Sequence, residues 1–255
     1  MRPAPRLYIN EHLGANSIAL SQEQSRYLGQ VLRLKEGDAV RVFNARDGEW
    51  LYQLTAIGKH GAEASAGHQR RRQETVPDTP ILYFAPIKRT PMEVLVQKAT
   101  ELGVSALQPV ITARTNRGHL RIDRLQSIAV EAAEQSERLS VPTIHPPITL
   151  QDLVNDSPRF VFCDEAGDVP NEPWGGEQGR APLAGPVFQD HTRIPRGVLI
   201  GPEGGFTPDE RSGLRVCRAA LPVSLGPRIL RAETAAIVAL TLWQVFYGDL
   251  SSISS

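Results

Sequence analysis

The feature that most constrains this chain is a change of pattern near residues 67–80. Before it, short apolar runs separated by turn residues follow one another: Leu7–Ile9, Ser17–Leu20, Ala39–Phe43 and Glu49–Ile57, with turns at Glu36-Gly37-Asp38 and Asp47-Gly48. Such a run of short strands predicts a small β-rich domain. It is interrupted by Ser25–Leu34, where Leu28, Val31, Leu32 and Leu34 recur at roughly helical spacing. After the arginine- and proline-bearing stretch Gly67–Pro80, read as a linker, strand and helix patterns alternate, the signature of an α/β domain with a largely parallel sheet. The division predicted is residues 1–73 and 74–250.

In the second part, Ile81–Ala85 reads as a buried strand. Thr90-Pro91-Met92-Glu93 then has the form of a capping box with proline at the first helical position, and Met92, Leu95, Val96, Ala99 and Leu102 form one apolar stripe ended by Gly103. A second helix is predicted from about Asp123 to Leu139, burying Leu125, Ile128, Ala129, Ala132 and Ser136. Arg159–Asp164 is the next strand, and Ala166–Arg196, dense in Gly and Pro, is an irregular excursion. Gly197–Ile200 predicts a strand, Thr207-Pro208-Asp209-Glu210 a second capping box, Leu221–Leu225 a further strand, and Ala232–Phe246 a helix apolar nearly all round, to be buried in a core or an interface.

Charge narrows the function classes. Acidic and basic residues balance at 28 each, so a globally basic nucleic-acid footprint is missing and any RNA site is local. Basic clusters occur at Arg70–Arg72, at Lys88-Arg89, and at Arg114, Arg117 and Arg121 with His119; only four of the 28 basic residues are lysine, which favours bidentate phosphate contact and stacking. No apolar run is long enough to span a membrane and the first residues lack a signal-peptide core, which predicts a cytoplasmic protein. Cys163 and Cys217 form no CxxC pair and read as buried small hydrophobes; the six histidines show no ligand spacing, so no metal is expected.

Two segments carry the chemistry. Leu199-Ile200-Gly201-Pro202-Glu203-Gly204-Gly205-Phe206 is an apolar strand running into a glycine-rich loop before a capped helix. Ser224-Leu225-Gly226-Pro227-Arg228-Ile229-Leu230-Arg231-Ala232-Glu233-Thr234-Ala235 repeats the design one strand later. Ligands of open α/β sheets bind at carboxyl ends of strands, where glycine lets the backbone approach, and two such loops suit an adenosine-type cofactor. No GxGxxG and no GK[ST] occurs, which argues against dinucleotide and triphosphate chemistry.

These two segments resemble the paired cofactor-loop motifs of the bacterial 16S rRNA (uracil-N3)-methyltransferases, a SPOUT-class family. Val31–Asp38, the stretch Met92-Glu93 with Gln97–Val104, and Glu131–Arg138 are similar to the same family, in the same order along most of the chain. The stretch Arg114–Arg121, shorter than the family's, and the insertion-like Ala166–Arg196 depart from it. The resemblance implies an N-terminal PUA-like β-barrel for RNA binding, a SPOUT domain with a trefoil knot, S-adenosyl-L-methionine as cofactor, a homodimer, and N3 of a uridine in the decoding region of 16S rRNA, within the small ribosomal subunit, as target. It implies cofactor contacts from Leu199, Ile200, Gly201, Glu203, Gly204 and Gly205, and from Leu225, Gly226, Ile229, Leu230, Arg231 and Thr234. Arg231 is the candidate for charge stabilisation, with Glu203 and Glu233 as candidate proton acceptors; Glu93 reads as structural. Arg6, Arg33, Lys88, Arg89 and Arg138 are expected to line a basic path for RNA. Other readings are a SPOUT enzyme with a different RNA target, a non-catalytic ribosome-assembly protein with these folds, and an α/β enzyme using another adenine cofactor.

Overall fold

The computed structural model describes residues 4–72, 79–115, 118, 120–164 and 181–250. The chain forms two compact units: Met1–Thr75 with Val130–Val141, and Val76–Ala129 with Pro142–Ser255. The first thus takes in a segment that the sequence places within the predicted second helix.

The first unit is built on a five-stranded sheet. Its strands are β1 (Arg6–Tyr8), β2 (Ile18–Leu20), β3 (Ala39–Asn44), β4 (Gly48–Gly58) and β5 (Gly61–Arg71), in the order β1-β3-β4-β5-β2, antiparallel except for the β1–β3 pair. Inward positions of these strands, among them Val40, Val42, Tyr52, Leu54 and Ala64, form the core with Leu28. Helix α1 (Gln22–Arg26) starts at a capping box between Ser21 and Gln24 and widens into a π-helical turn over Tyr27–Val31, earlier than the periodicity of Ser25–Leu34 indicated. The first residues of the predicted linker are strand, because β5 continues to Arg71 paired with β4 across irregularities in register; its residues 73–78 lie outside the described ones.

The second unit holds a parallel sheet in the order β12-β10-β11-β6-β7-β8, with β9 also paired to β7. Its strands are β6 (Ile81–Phe84), β7 (Ala106–Ile111), β8 (Thr143–Ile144), β9 (Ile148–Thr149), β10 (Phe160–Cys163), β11 (Gly197–Ile200) and β12 (Ala220–Val223). Between them lie α2 (Arg89–Glu101), α3 (Ile122–Gln135, whose residues from Val130 on fall in the first unit), α4 (Leu150–Asp156), α5 (Ala184–Phe188) and α6 (Pro208–Val216), and α7 (Ala232–Tyr247) follows β12. Both central strands, β10 and β11, are buried at every position, which is why they read as unbroken apolar runs. Gly197 is required where β11 passes β6: a Cβ there would lie 2.5 Å from the Tyr83 ring and 2.7 Å from the Ile81 carbonyl oxygen.

Helix α7 packs on α2, α5 and β11. Two of its buried polar groups reach loops: Trp243 Nε1 donates to the Pro195 carbonyl at 2.7 Å, and Gln244 Nε2 donates to the Leu102 carbonyl at 2.7 Å while Gln244 Oε1 accepts from the Asp249 amide at 3.1 Å. Gln244 thereby satisfies a carbonyl at the end of α2 that the helix cannot satisfy itself, and holds the chain just after α7. Gly103 ends α2 at φ +83° as its sequence position suggests.

Three local expectations fail for tertiary reasons. Helix α2 starts one residue before Thr90, with Lys88 as its cap and no side-chain capping bond, so Thr90 and Glu93 form no capping box. The Lys88 amide instead donates to Glu203 Oε1 at 3.0 Å, and Glu93 binds Arg89 and Arg124. Helix α3 stops at Gln135, leaving Ser136 exposed, because Arg6 takes its terminal carbonyls. Within the excursion Ala166–Arg196, α5 and a 3-10 turn at His191–Arg193 are ordered elements; its residues up to 180 lie outside the described ones.

Candidate functional site

Within the second unit, the carboxyl ends of β10 and β11, the loop after β6 and the start of α7 surround a cavity of about 700 Å³. One wall is the loop between β11 and α6. There Ile200, Gly201, Glu203, Gly204 and Gly205 all face the cavity, while Leu199 is fully buried in the apolar core beside Tyr83 and Phe160. The Leu199 side chain is thus not part of the cavity lining. Pro202–Gly205 forms a tight turn closed by the Gly205 amide donating to the Pro202 carbonyl at 2.8 Å, with Gly205 at φ +66°. A Cβ at Gly201 would crowd the Phe206 ring at 3.0 Å.

The loop after β12 forms another wall through Ile229, Leu230 and Arg231, joined by Glu233. Leu225, Gly226 and Thr234 are absent from the cavity lining: Gly226 turns the chain at φ +108° ahead of it, and Thr234 is exposed on α7. The structure therefore brings Arg231, Glu203 and Glu233 into one cavity from two loops about thirty residues apart in sequence. Arg231 is the cap residue of α7 and makes no side-chain capping bond. An arginine there forgoes the roughly 1 kcal/mol of a good cap. It also sets a cation at the positive end of the helix. Neither helps the fold, and the residue lines the cavity.

Sequence reasoning missed a charged cluster in the cavity wall. Asp164, at the end of β10, lines the cavity and lies between Arg211, 3.1 Å from Nε to Oδ1, and Arg215, 2.8 Å from Nη2 to Oδ2. All three side chains are nearly buried, with 1%, 11% and 13% exposure. A carboxylate at a strand end followed by two arginines four apart on a helix was the available signal. Cys163 also lines the cavity, whereas Cys217 is half-buried with its thiol near the Val154 carbonyl.

The basic residues separate sharply. Lys88 is exposed at the cavity, Arg89 is exposed and paired with Glu93, and Arg33 is exposed at φ +61°. Arg138 is half-buried and donates to Ser140 Oγ at 3.1 Å. Arg6 contradicts the expectation of an RNA contact. Its side chain is 2% exposed, bonded to Glu49 at 2.5 Å and to the carbonyls of Ala133, Glu134 and Arg138 at 2.7–3.1 Å, and its guanidinium lies 3.9 Å from the Phe43 ring centroid. A cation at a helix C-terminus, neutralised by a buried carboxylate, is a structural device. Burial pushes the guanidinium below its ordinary pKa and the Glu49 bond opposes this. Glu93, gripped by Arg124 and Arg89, is held down to about 2 by those two hydrogen bonds, Arg124's being the stronger. Among the described residues no cluster of His, Cys, Asp and Glu suited to a metal occurs, and no helix is long and apolar enough to cross a membrane.

Comparison with known proteins gives the family. The RNA methyltransferase domain family model matches residues 76–244, and the RNA methyltransferase PUA domain model matches residues 20–66. Ribosomal RNA small subunit methyltransferase E of Rickettsia conorii is 36% identical over 237 residues, which is 92% of this chain and 93% of its own. The protein of the same name from Synechocystis is 33% identical over 88% of this chain and 71% of its own. The crystal structure of a ribosomal RNA small subunit methyltransferase E from Neisseria gonorrhoeae, bound to S-adenosyl methionine, matches with a TM-score of 0.81 at 30% identity, covering 96% of this chain and 99% of that one. With a parallel α/β sheet of the SPOUT class and an N-terminal PUA-like domain, the chain belongs to the ribosomal RNA small subunit methyltransferase E family.

Proposed function

We propose that this protein transfers a methyl group from S-adenosyl-L-methionine to N3 of a uridine in the decoding region of 16S rRNA. The observation that carries the reading is the convergence of the loops after β11 and β12, with Arg231, Glu203 and Glu233, on a single cavity. Its fit to the cofactor rests on the loop backbones: Gly201, Gly204 and Gly205 line the cavity without side chains. Ile200, Gly201, Gly204, Gly205, Ile229 and Leu230 would hold it, with backbone contributions from Leu199, Leu225, Gly226 and Thr234 to be tested. When bound, S-adenosylmethionine supplies an electrophilic methyl group, and in-line transfer demands an accurately held acceptor nitrogen.

The remaining chemistry falls to the chain's own residues. Uridine N3 carries a proton, and its loss leaves an anion that a guanidinium stabilises; Arg231 is assigned this role. One Glu203 oxygen already accepts from the Lys88 amide, so Glu233, in the first turn of α7, is the first choice as proton acceptor and Glu203 the second. Arg33 and Arg138 of the 1–73 RNA-binding domain and its appended segment, with Lys88 and Arg89 of the 74–250 methyltransferase domain, are assigned to RNA phosphates; Arg6 is not. N3 lies on the Watson–Crick edge, so the target must be unpaired or flipped out. A homodimer working in the cytoplasm on the small ribosomal subunit completes the proposal.

The test is incubation with methyl-labelled S-adenosylmethionine and small subunits lacking native methylation, followed by nucleoside mass spectrometry. Labelled N3-methyluridine is expected. Cofactor binding with no label in 16S rRNA would redirect the search to other RNAs, and absence of cofactor binding would favour the non-catalytic reading. Arg231→Ala is expected to lower turnover on the order of 10²–10³-fold, the range for losing one charge-stabilising group; full turnover at saturating substrates would remove its assignment.

A further inference from the structure

We infer that Arg114 is a positioning residue for the glycine loop, holding the Gly204–Gly205 peptide in the orientation the cavity requires. Its relevance to the cofactor rests on the function proposed above, but the latch itself does not. Arg114 Nη1 donates to the Gly204 carbonyl at 2.6 Å. The Gly205 amide of the same peptide donates to Pro202 at 2.8 Å, so both polar groups of this peptide are engaged, on different partners. Gly204 and Gly205 both line the cavity. Two adjacent glycines have little intrinsic preference for one peptide orientation, so it rests on the turn's own bond to Pro202 and on the Arg114 bond, which holds the carbonyl side.

Arg114 is itself held in place. It belongs to the turn that follows β7, and β7 is separated from β11 in the sheet by β6. This turn is closed by the Thr115 amide donating to the Thr112 carbonyl at 3.2 Å and by the Thr112 amide donating to Thr115 Oγ1 at 3.0 Å. The Ala113 amide donates to Glu210 Oε1 at 2.7 Å, while Glu210 Oε2 accepts from the Thr207 amide at 2.9 Å. Glu210 therefore caps its own helix and anchors the turn that carries Arg114. The Arg114 side chain also lies along Gly204, since a Cβ there would sit 3.4 Å from Arg114 Cδ. On the other side of the turn, Glu203 is tied to the Lys88 amide. The glycine turn is thus fixed from both flanks, by the cap of α2 and by the turn after β7. Arg114 is exposed, so burial alone does not hold it there.

The test compares Arg114→Ala, Arg114→Lys and the control Arg121→Ala, which removes a charge seven residues further on that pairs with Asp123. In the cofactor-free protein, hydrogen exchange across 201–206 is expected to speed up on the order of tenfold in Arg114→Ala, the fold-change equivalent to losing one hydrogen bond from a charged donor. The calorimetric Kd for S-adenosylmethionine is expected to rise by a similar factor, while turnover at saturating cofactor is retained. Arg114→Lys recovers part of both effects, and Arg121→Ala changes neither. Unchanged exchange in Arg114→Ala overturns the latch. Faster exchange with an unchanged Kd overturns its role in cofactor binding. A loss of RNA affinity alone, with exchange and Kd unaltered, would make Arg114 an RNA contact and overturn the inference. Failure of the unmodified protein to bind S-adenosylmethionine would sink the proposed function, while the exchange measurement would still decide the latch.

Discussion

Replacing Arg6 separates a structural cation from an RNA contact. In Arg6→Ala, Glu49, whose side chain is 1% exposed, keeps, among the described residues, only the Arg41 ion pair at 3.9 Å, and the carbonyls of Ala133, Glu134 and Arg138 lose the Arg6 donor. Breaking a buried pair from one side costs about 3–5 kcal/mol because the remaining charge stays desolvated. Set against a typical stability of about 5–15 kcal/mol, that is a large share. With a urea dependence of about 2 kcal/mol per molar, the unfolding midpoint of the first unit should fall by about 2 M. Urea titration followed by tryptophan emission reads it, since Trp50 lies in β4 of that unit. The double variant Arg6→Met with Glu49→Leu should recover a substantial part of the loss, because it removes both charges and buries apolar side chains in their place. A midpoint shift below about 0.3 M, well under one hydrogen bond's worth, together with weakened RNA binding, would refute the structural assignment.

Two further outcomes follow from other particular contacts. Glu93, with its folded pKa near 2 against an ordinary 4.5, contributes stability that is fully present above the ordinary value and is lost as pH falls through the folded one. NMR titration of its carboxyl should show the low midpoint, and Arg124→Gln should move it upward; an unmoved midpoint would remove Arg124 as the main cause. Gln244→Leu strips partners from the Leu102 carbonyl and the Asp249 amide and should cost about 1–3 kcal/mol in chemical denaturation. A loss below about 0.5 kcal/mol would mean that water replaces the side chain.

The legibility of this chain varied with the range of the interaction. The Thr207–Glu210 capping box is found as read, with Thr207 Oγ1 accepting from Glu210 and Glu210 answering the Thr207 amide, because both partners lie within one helical turn. The same pattern at Thr90–Glu93 failed, because a carboxylate 115 residues away reached the Lys88 amide and two arginines claimed Glu93. For the candidate site, the two glycine loops were legible from strand runs that end in residues only a tight turn requires. Asp164 with Arg211 and Arg215 was not, since the arginine pair on the helix could be read but not which carboxylate, 47 residues before, it would meet.

By itself, the sequence determined what depends on neighbours a few residues apart: the change from β-rich to alternating pattern, the apolar strands β10 and β11, the apolar helix α7, and the loop motifs that resemble one enzyme family. Tertiary structure alone decided which polar groups meet. It put Arg6 against carbonyls more than 120 residues away, Lys88 against Glu203, and Arg114 against Gly204 across 90 residues. The physical reason is that periodicity and capping follow from backbone geometry within a turn, whereas a buried or strategically placed charge must be met by whatever partner the folded chain brings within about 3 Å.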